Sequence, residues 1–134
     1  MKPPVGAQCL RVSSASAPEQ KMFATLMGLK TISPADLLEL TKKKQVTVFD
    51  VNSVQSWQQA HVPGALHLDP VNYADQDLPA DKNSNLVFYC SNPLCRKAPN
   101  AARRAKQLGY TNVKVMSAGI SGWLSAKLPT EAGA

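Results

Sequence analysis

Residues 86–110 read LVFYCSNPLCRKAPNAARRAKQLGY. The first five are apolar, β-branched or aromatic, and the run stops at Cys90, so it reads as a buried strand over 86–90. Pro99 suits a first helical turn and Gly109 suits a helix end, so PNAARRAKQLGY reads as a helix. The polar residues between them, CSNPLCRKA, must then turn sharply at the carboxyl end of a strand. Ligands of open α/β sheets bind at such ends.

The flanking segments repeat the alternation. Within TISPADLLELTKKK, Ser33 is a candidate N-cap, Pro34 takes the first helical position, and Leu37, Leu38 and Leu40 form an apolar face over a helix of about 34–43. QVTVFDV reads as a buried strand ending near Asp50, and SVQSWQQAH as a short helix beginning near Ser53 or Ser56. VPGALHL holds a Pro-Gly turn and then a short strand at about 65–68, and PVNYADQDLPADKNSN is irregular. NVKVM reads as a strand at 112–116, Gly119 and Gly122 as the brackets of a turn, and SGWLSAKLP as a closing helix. Strands alternating with helices predict a parallel sheet covered on both faces. Residues 1–19 read as a flexible tail, and 20–131 as one domain whose first element is a short helix over 20–29.

Composition narrows the function. The chain has 134 residues, and 44% hydrophobic with 18% charged residues fits a soluble globular domain. No stretch approaches the roughly 18 apolar residues of a membrane span. The first residues lack the continuous apolar core of a secretory signal, so a cytoplasmic location is expected. Net charge is +6, concentrated in Lys42–Lys44 and in Arg96, Lys97, Arg103, Arg104 and Lys106. That field favours small anions. With 6% aromatics, and none among the basic residues after Cys90, no nucleic-acid partner is expected. Three cysteines, Cys9, Cys90 and Cys95, are too few for a disulfide scaffold. A zinc site would need more ligands than these, and the available histidines, His61 and His67, lie in another segment.

The loop itself suggests nucleophilic chemistry. Backbone N–H groups in a tight turn, together with a helix N-terminus, form an anion cradle. A thiol placed there would have its pKa lowered, which makes Cys90 a candidate nucleophile. The alternative is that Cys90 is simply a small buried hydrophobe. Arg96 and Lys97 are candidates for binding an anionic substrate. Cys95 is a candidate resolving or sulfur-accepting thiol, provided the loop curls enough to bring the two Cα atoms within about 7 Å. The Cys90-x5-Arg96 spacing is also similar to the loop of tyrosine phosphatases and arsenate reductases. Asp50 and Asp69 would be its candidate general acids.

TVFDVNSVQSWQQAHVPGALHLD, LVFYC and LGYTNVKVMSAGISGWLSAKLP together resemble the rhodanese-like family, single-domain thiosulfate:cyanide sulfurtransferases among them. The resemblance covers roughly residues 31–131. It implies a small three-layer α/β fold with a central, mainly parallel five-stranded sheet and helices on both faces. It also implies a catalytic Cys90 that carries sulfane sulfur as a persulfide, with no metal and no cofactor. The donor would be a small anion such as thiosulfate, and the acceptor cyanide, a thiol or a protein. Trp57, His61 and Trp123 would be structural, and Asp50 would organise its neighbourhood. Two departures stand out. Asn52 occupies a position where many members carry arginine. The active-site loop, Ser91, Asn92, Pro93, Leu94, Cys95, Arg96 and Lys97, is longer than usual and has Pro93 in place of a glycine. Three functions remain open: sulfurtransfer, a non-enzymatic redox or sulfur-binding module built on Cys90 and Cys95, and a phosphatase or arsenate reductase using Cys90 and Arg96.

Overall fold

The computed structural model describes residues 29–133. The tail expected over 1–19, Cys9 and all but Leu29 of the helix expected over 20–29 lie outside them. Five strands form one sheet: β1 (Lys30–Thr31), β2 (Thr47–Asp50), β3 (Leu66–His67), β4 (Asn85–Tyr89) and β5 (Asn112–Val115). The order is β1-β5-β4-β2-β3 and every pairing is parallel. Among the described residues, four α-helices connect or follow the strands: α1 (Pro34–Lys42), α2 (Val54–Gln59), α3 (Lys97–Gln107) and α4 (Gly119–Ser125). No helix among the described residues is long and apolar enough to cross a membrane.

Local chemistry sets the helix ends. The Asp36 N–H donates to Ser33 Oγ at 3.1 Å, and Pro34 fills the first helical position of α1. Ser53 caps α2 in the same way, accepting from the Ser56 N–H at 3.2 Å. Gly109, just past α3, takes φ +105°, the left-handed conformation that ends helices. Two features depart from the sequence reading. Gly119 and Gly122 both lie inside α4 rather than around a turn. Strand β1 has only two residues, too few to show a periodicity, and it exists because Lys30 and Thr31 pair with Lys114 and Val115.

The two faces of the sheet have separate cores. Phe49, Leu86, Phe88, Val113 and Val115 pack with Ala98, Ala101, Ala102 and Ala105 of α3. Val48, Val87 and Tyr89 pack with Leu37 of α1 and Trp123 of α4. Small alanines on α3 allow the helix to lie close to the sheet, and Phe49 and Phe88 stack at 5.2 Å between them.

A buried polar network holds the second face together. Asp50 is fully buried. Its Oδ2 accepts from the Tyr89 hydroxyl at 2.6 Å and its Oδ1 from the Asn52 N–H at 2.8 Å. Tyr89 Oη in turn accepts from the Val62 N–H at 3.1 Å. His67 Nε2–H donates to the Asn52 carbonyl at 2.8 Å. Burial raises the Asp50 carboxyl above its ordinary pKa, and the bonds from Tyr89 and Asn52 offset part of that. Nearby, His61 Nδ1–H donates to the Trp57 carbonyl at 2.6 Å, and its ring stacks on Trp57 at 4.5 Å. Its backbone exchanges hydrogen bonds with Glu131, both 2.9 Å, which ties the end of the domain to the end of α2.

Asp50→Ala leaves the Asn52 N–H and the Tyr89 hydroxyl without an acceptor in a buried site. We expect a loss of about 3 kcal/mol in urea unfolding, and about half that for Asp50→Asn, which keeps one acceptor. A loss under about 1 kcal/mol for the alanine variant would show that the network carries little stability.

Candidate active site

Cys90 follows β4 and keeps its alternation. Leu86, Phe88 and Cys90 belong to the core under α3, whereas Val87 and Tyr89 belong to the other. The Cys90 side chain, 2% exposed, therefore lies beneath the start of α3. Asp50 lies on the opposite face with Tyr89, and Asn52 and His61 belong to the network described above. The structure does not gather these three around the sulfur.

After Cys90 the chain curls back on itself. The Cys95 N–H donates to the Asn92 carbonyl at 3.1 Å, closing a four-residue turn. The Leu94 N–H donates to Asn92 Oδ1 at 2.9 Å. Asparagine first and proline second is the residue order such turns favour. Pro93 occupies a turn position whose N–H takes no part in closing the turn, so it stiffens the curl without removing one of these bonds. The curl returns Cys95 to Cys90. The Cys90 thiol donates to the Cys95 carbonyl oxygen at 3.5 Å, and the Cys95 thiol lies close enough to act on it. Both are free thiols, Cys90 buried and Cys95 half-buried.

Backbone donors converge on this pair. The Ala98 and Ser91 N–H groups face the Cys90 sulfur, and those of Lys97 and Ser91 face the Cys95 sulfur. Lys97 and Ala98 open α3, so their N–H groups have no partner within the helix and stand at its positive end. The Lys97 side chain is exposed at the first position of α3, and the Arg96 side chain is exposed at the position before it. Leu94, 64% exposed, forms the tip of the loop.

The cradle acts on the two thiols differently. Burial pushes the Cys90 thiol up, the neighbouring Cys95 pushes it further, and the Ala98 and Ser91 N–H groups only partly compensate. Burial also opposes ionisation of Cys95. There it is outweighed by the hydrogen bond from Cys90, the Lys97 and Ser91 N–H groups and the Lys97 charge, so this thiol falls below its ordinary range. The two thiols share their first ionisation, and these opposite shifts favour Cys95 as the site of the charge. The sequence reading expected a lowered Cys90 thiol; burial of Cys90 works against that, while the donors around the half-buried Cys95 favour its ionisation.

Helix α4 forms the back wall. The Ile120 N–H donates to the Cys90 carbonyl and the Ser121 N–H to the Ser91 carbonyl, both at 2.9 Å. Gly119 begins α4 at φ +69°. A Cβ there would lie 2.8 Å from Asn92 N and from Ser91 C, and 2.9 Å from Cys90 O. No side chain fits, which makes Gly119 a site residue that the sequence reading assigned only to a turn.

Residues 33–126 match the model of the rhodanese-like domain. The chain belongs to the rhodanese-like domain family. That membership supports a role in sulfur transfer or related thiol chemistry. Among curated proteins, the chain is 33% identical over 103 residues to the HTH-type transcriptional regulator Rv0324 of Mycobacterium tuberculosis, covering 77% of this chain but only 45% of that regulator. It is 27% identical over 97 residues to the thiosulfate sulfurtransferase GlpE of Coxiella burnetii, covering 72% of this chain and 89% of that protein. Among solved structures, the BH2092 protein of Bacillus halodurans has the same fold, with a TM-score of 0.71 at 24% identity, over 87% of this chain and 86% of that one.

Gly119→Ala combines a left-handed backbone with a collision against the cysteine loop, and should cost about 2 kcal/mol or more in thermal or urea unfolding. It should also alter the rate at which Cys90 is alkylated. Wild-type stability together with wild-type alkylation would show that the loop does not depend on this close approach. The thiol assignment predicts a pH order. Iodoacetamide followed by peptide mass mapping should modify Cys95 first, at a pH below the ordinary thiol value of about 8.5. In Cys95→Ser, the hydrogen bond and charge that raise Cys90 are gone, so alkylation of Cys90 should shift to lower pH. Alkylation of Cys90 ahead of Cys95 in the wild type would reverse the assignment.

Proposed function

We propose that this domain is a sulfurtransferase in which Cys90 accepts a sulfane sulfur and carries it as a persulfide. The observation supporting this most is the convergence of the Ser91 and Ala98 N–H groups on a buried sulfur at the end of β4. An outer sulfur bearing negative charge would take the place of a thiolate in that cradle, stabilised by the same donors and by the start of α3.

With thiosulfate as donor, the Cys90 sulfur attacks the sulfane sulfur and sulfite leaves with the electron pair of the broken S–S bond. The proton of Cys90 passes to the neighbouring Cys95 thiolate, which becomes a thiol. A buried thiol of raised pKa is thereby activated by a neighbour whose pKa is lowered. Arg96 and Lys97, exposed at the mouth, attract the dianion. The outer sulfur then passes to cyanide, a thiol or a protein cysteine. The reaction needs no metal or cofactor, and a cytoplasm rich in reduced thiols would supply acceptors. We assign this activity to the domain expected over 20–131.

The phosphatase and arsenate-reductase reading fits the geometry less well. Asp50 is fully buried on the opposite face of the sheet and already accepts two hydrogen bonds. The Val71 and Asn72 N–H groups hold the exposed Asp69 carboxyl below its ordinary pKa, which disfavours it as a proton donor.

Reduced protein mixed with thiosulfate, or with a small-molecule persulfide as a second donor, tests the reading. Thiosulfate should release sulfite stoichiometrically with protein, and Cys90→Ser should release none. Absence of sulfite with thiosulfate, together with no sulfur uptake from the persulfide donor, would sink the proposal.

A further inference from the structure

The turn from Asn92 to Cys95 places a second thiol against the first, within the same ring of backbone donors. This proximity does not arise from strand or helix geometry. It depends on the Asn92 side chain, on Pro93 and on the length of the loop. Cys95 packs against the core that contains Cys90, yet remains half-buried while Cys90 is sealed. The Ser91 N–H faces both sulfurs, so whichever of them bears charge keeps a donor.

We propose that Cys95 is a second reacting residue, which resolves the Cys90 persulfide internally by attacking Cys90 Sγ, releasing hydrosulfide and leaving a Cys90–Cys95 disulfide. The inference rests on the persulfide reading above and deepens it. The balance is simple. The proton that Cys95 took from Cys90 passes to the outer sulfur. A bond forms between Cys95 Sγ and Cys90 Sγ, the bond between Cys90 Sγ and the outer sulfur breaks, and HS⁻ departs with its electron pair. The outer sulfur is reduced to sulfide while the two cysteines together lose two electrons. Two equivalents of a small thiol, or one dithiol, then reduce the disulfide and are themselves oxidised. The full cycle converts thiosulfate and two thiols into sulfite, hydrogen sulfide and one thiol disulfide.

Two considerations favour attack on the inner sulfur over transfer of the outer sulfur to Cys95. Contact already exists between Cys95 and the Cys90 sulfur itself. In thiol exchange, the weaker base is also the better leaving group. Attack on the inner sulfur expels hydrosulfide. Attack on the outer sulfur would expel the Cys90 thiolate, which burial makes a poor leaving group. External acceptors face the same unfavourable leaving group, so internal resolution competes well with them.

The test is a single turnover in a Cys9→Ser background, so that only the two loop cysteines can pair. Reduced full-length protein, freed of small thiols, is mixed with thiosulfate or with a small-molecule persulfide, and sulfide, sulfite and intact protein mass are followed. With Cys95 present, sulfide should appear in step with loss of two hydrogens from the protein mass, and peptide mapping should find the Cys90–Cys95 bond. Cys95→Ser, and Cys95→Ala as a second variant, lose the proton acceptor and should load more slowly, but once loaded they should hold a persulfide one sulfur heavier and release at least tenfold less sulfide per sulfur taken up. A stable persulfide in the protein with Cys95, or an outer sulfur mapped to Cys95, overturns this inference and leaves the Cys90 reading standing. If no variant takes up sulfur from either donor, the Cys90 reading falls and this inference falls with it.

Discussion

The loop depends on two hydrogen bonds at its back. The Ile120 and Ser121 N–H groups, at the start of α4, hold the carbonyls of Cys90 and Ser91. A trans peptide is planar, with its C=O and N–H pointing in opposite directions. Fixing the Cys90 carbonyl towards α4 therefore aims the Ser91 N–H away from α4, and that N–H is the donor shared by both sulfurs. One helix start grips the loop from behind while another, that of α3, supplies the Lys97 and Ala98 donors from above. Both arrangements use N–H groups that a helix leaves unpaired at its first turn. Gly119 is what lets the grip close, since its missing side chain leaves room for the backbone of Ser91 and Asn92.

The polar groups divide along the two faces of the sheet. The carboxylate network of Asp50, Tyr89, Asn52 and Val62 lies on one face and the sulfur pair on the other. Adjacent residues, Tyr89 at the end of β4 and Cys90 just after it, thus serve unrelated ends, because successive side chains alternate across a sheet. This separation keeps a buried carboxylate away from the sulfur pair, as the proposed anionic donor would require. The positive charge of Lys97 acts on Cys95. Two thiols this close favour one negative charge at a time, since ionisation of either opposes that of the other.

Much of this was legible in the chain. Val48, Phe49, Leu86, Val87, Phe88, Val113 and Val115 lie in short apolar runs that could hardly be anything but strands, and Ser33, Pro34 and Gly109 mark helix ends by local chemistry alone. The position of Cys90 after a strand and before a helix followed from those runs. The rest depended on tertiary contacts. Strand β1 takes its identity from pairing with β5. Gly119 looks like any turn glycine until the Cys90 loop is seen against it; the glycine's place within the family-like C-terminal segment was the available signal. The partition of charge between Cys90 and Cys95 depends on relative burial, which spacing does not encode.

The contrast between frame and loop indicates where this domain acquires its particular chemistry. The α4 bonds are made to carbonyls, so they hold the loop backbone whatever its side chains are, whereas the α3 N–H groups face the sulfurs themselves. The frame therefore supplies a cradle for a charged sulfur and is indifferent to the sulfur's fate. That fate is set by side chains the frame does not specify. Asn92 and Pro93 shape the turn, Cys95 is delivered by it, and Lys97 biases the charge on Cys95. A loop without the turn could keep the cradle yet hold its sulfur until an outside acceptor arrived. With the turn, the proposed mechanism has an acceptor built in, and the competition between internal resolution and external transfer becomes a property of one curl of six residues from Cys90 to Cys95.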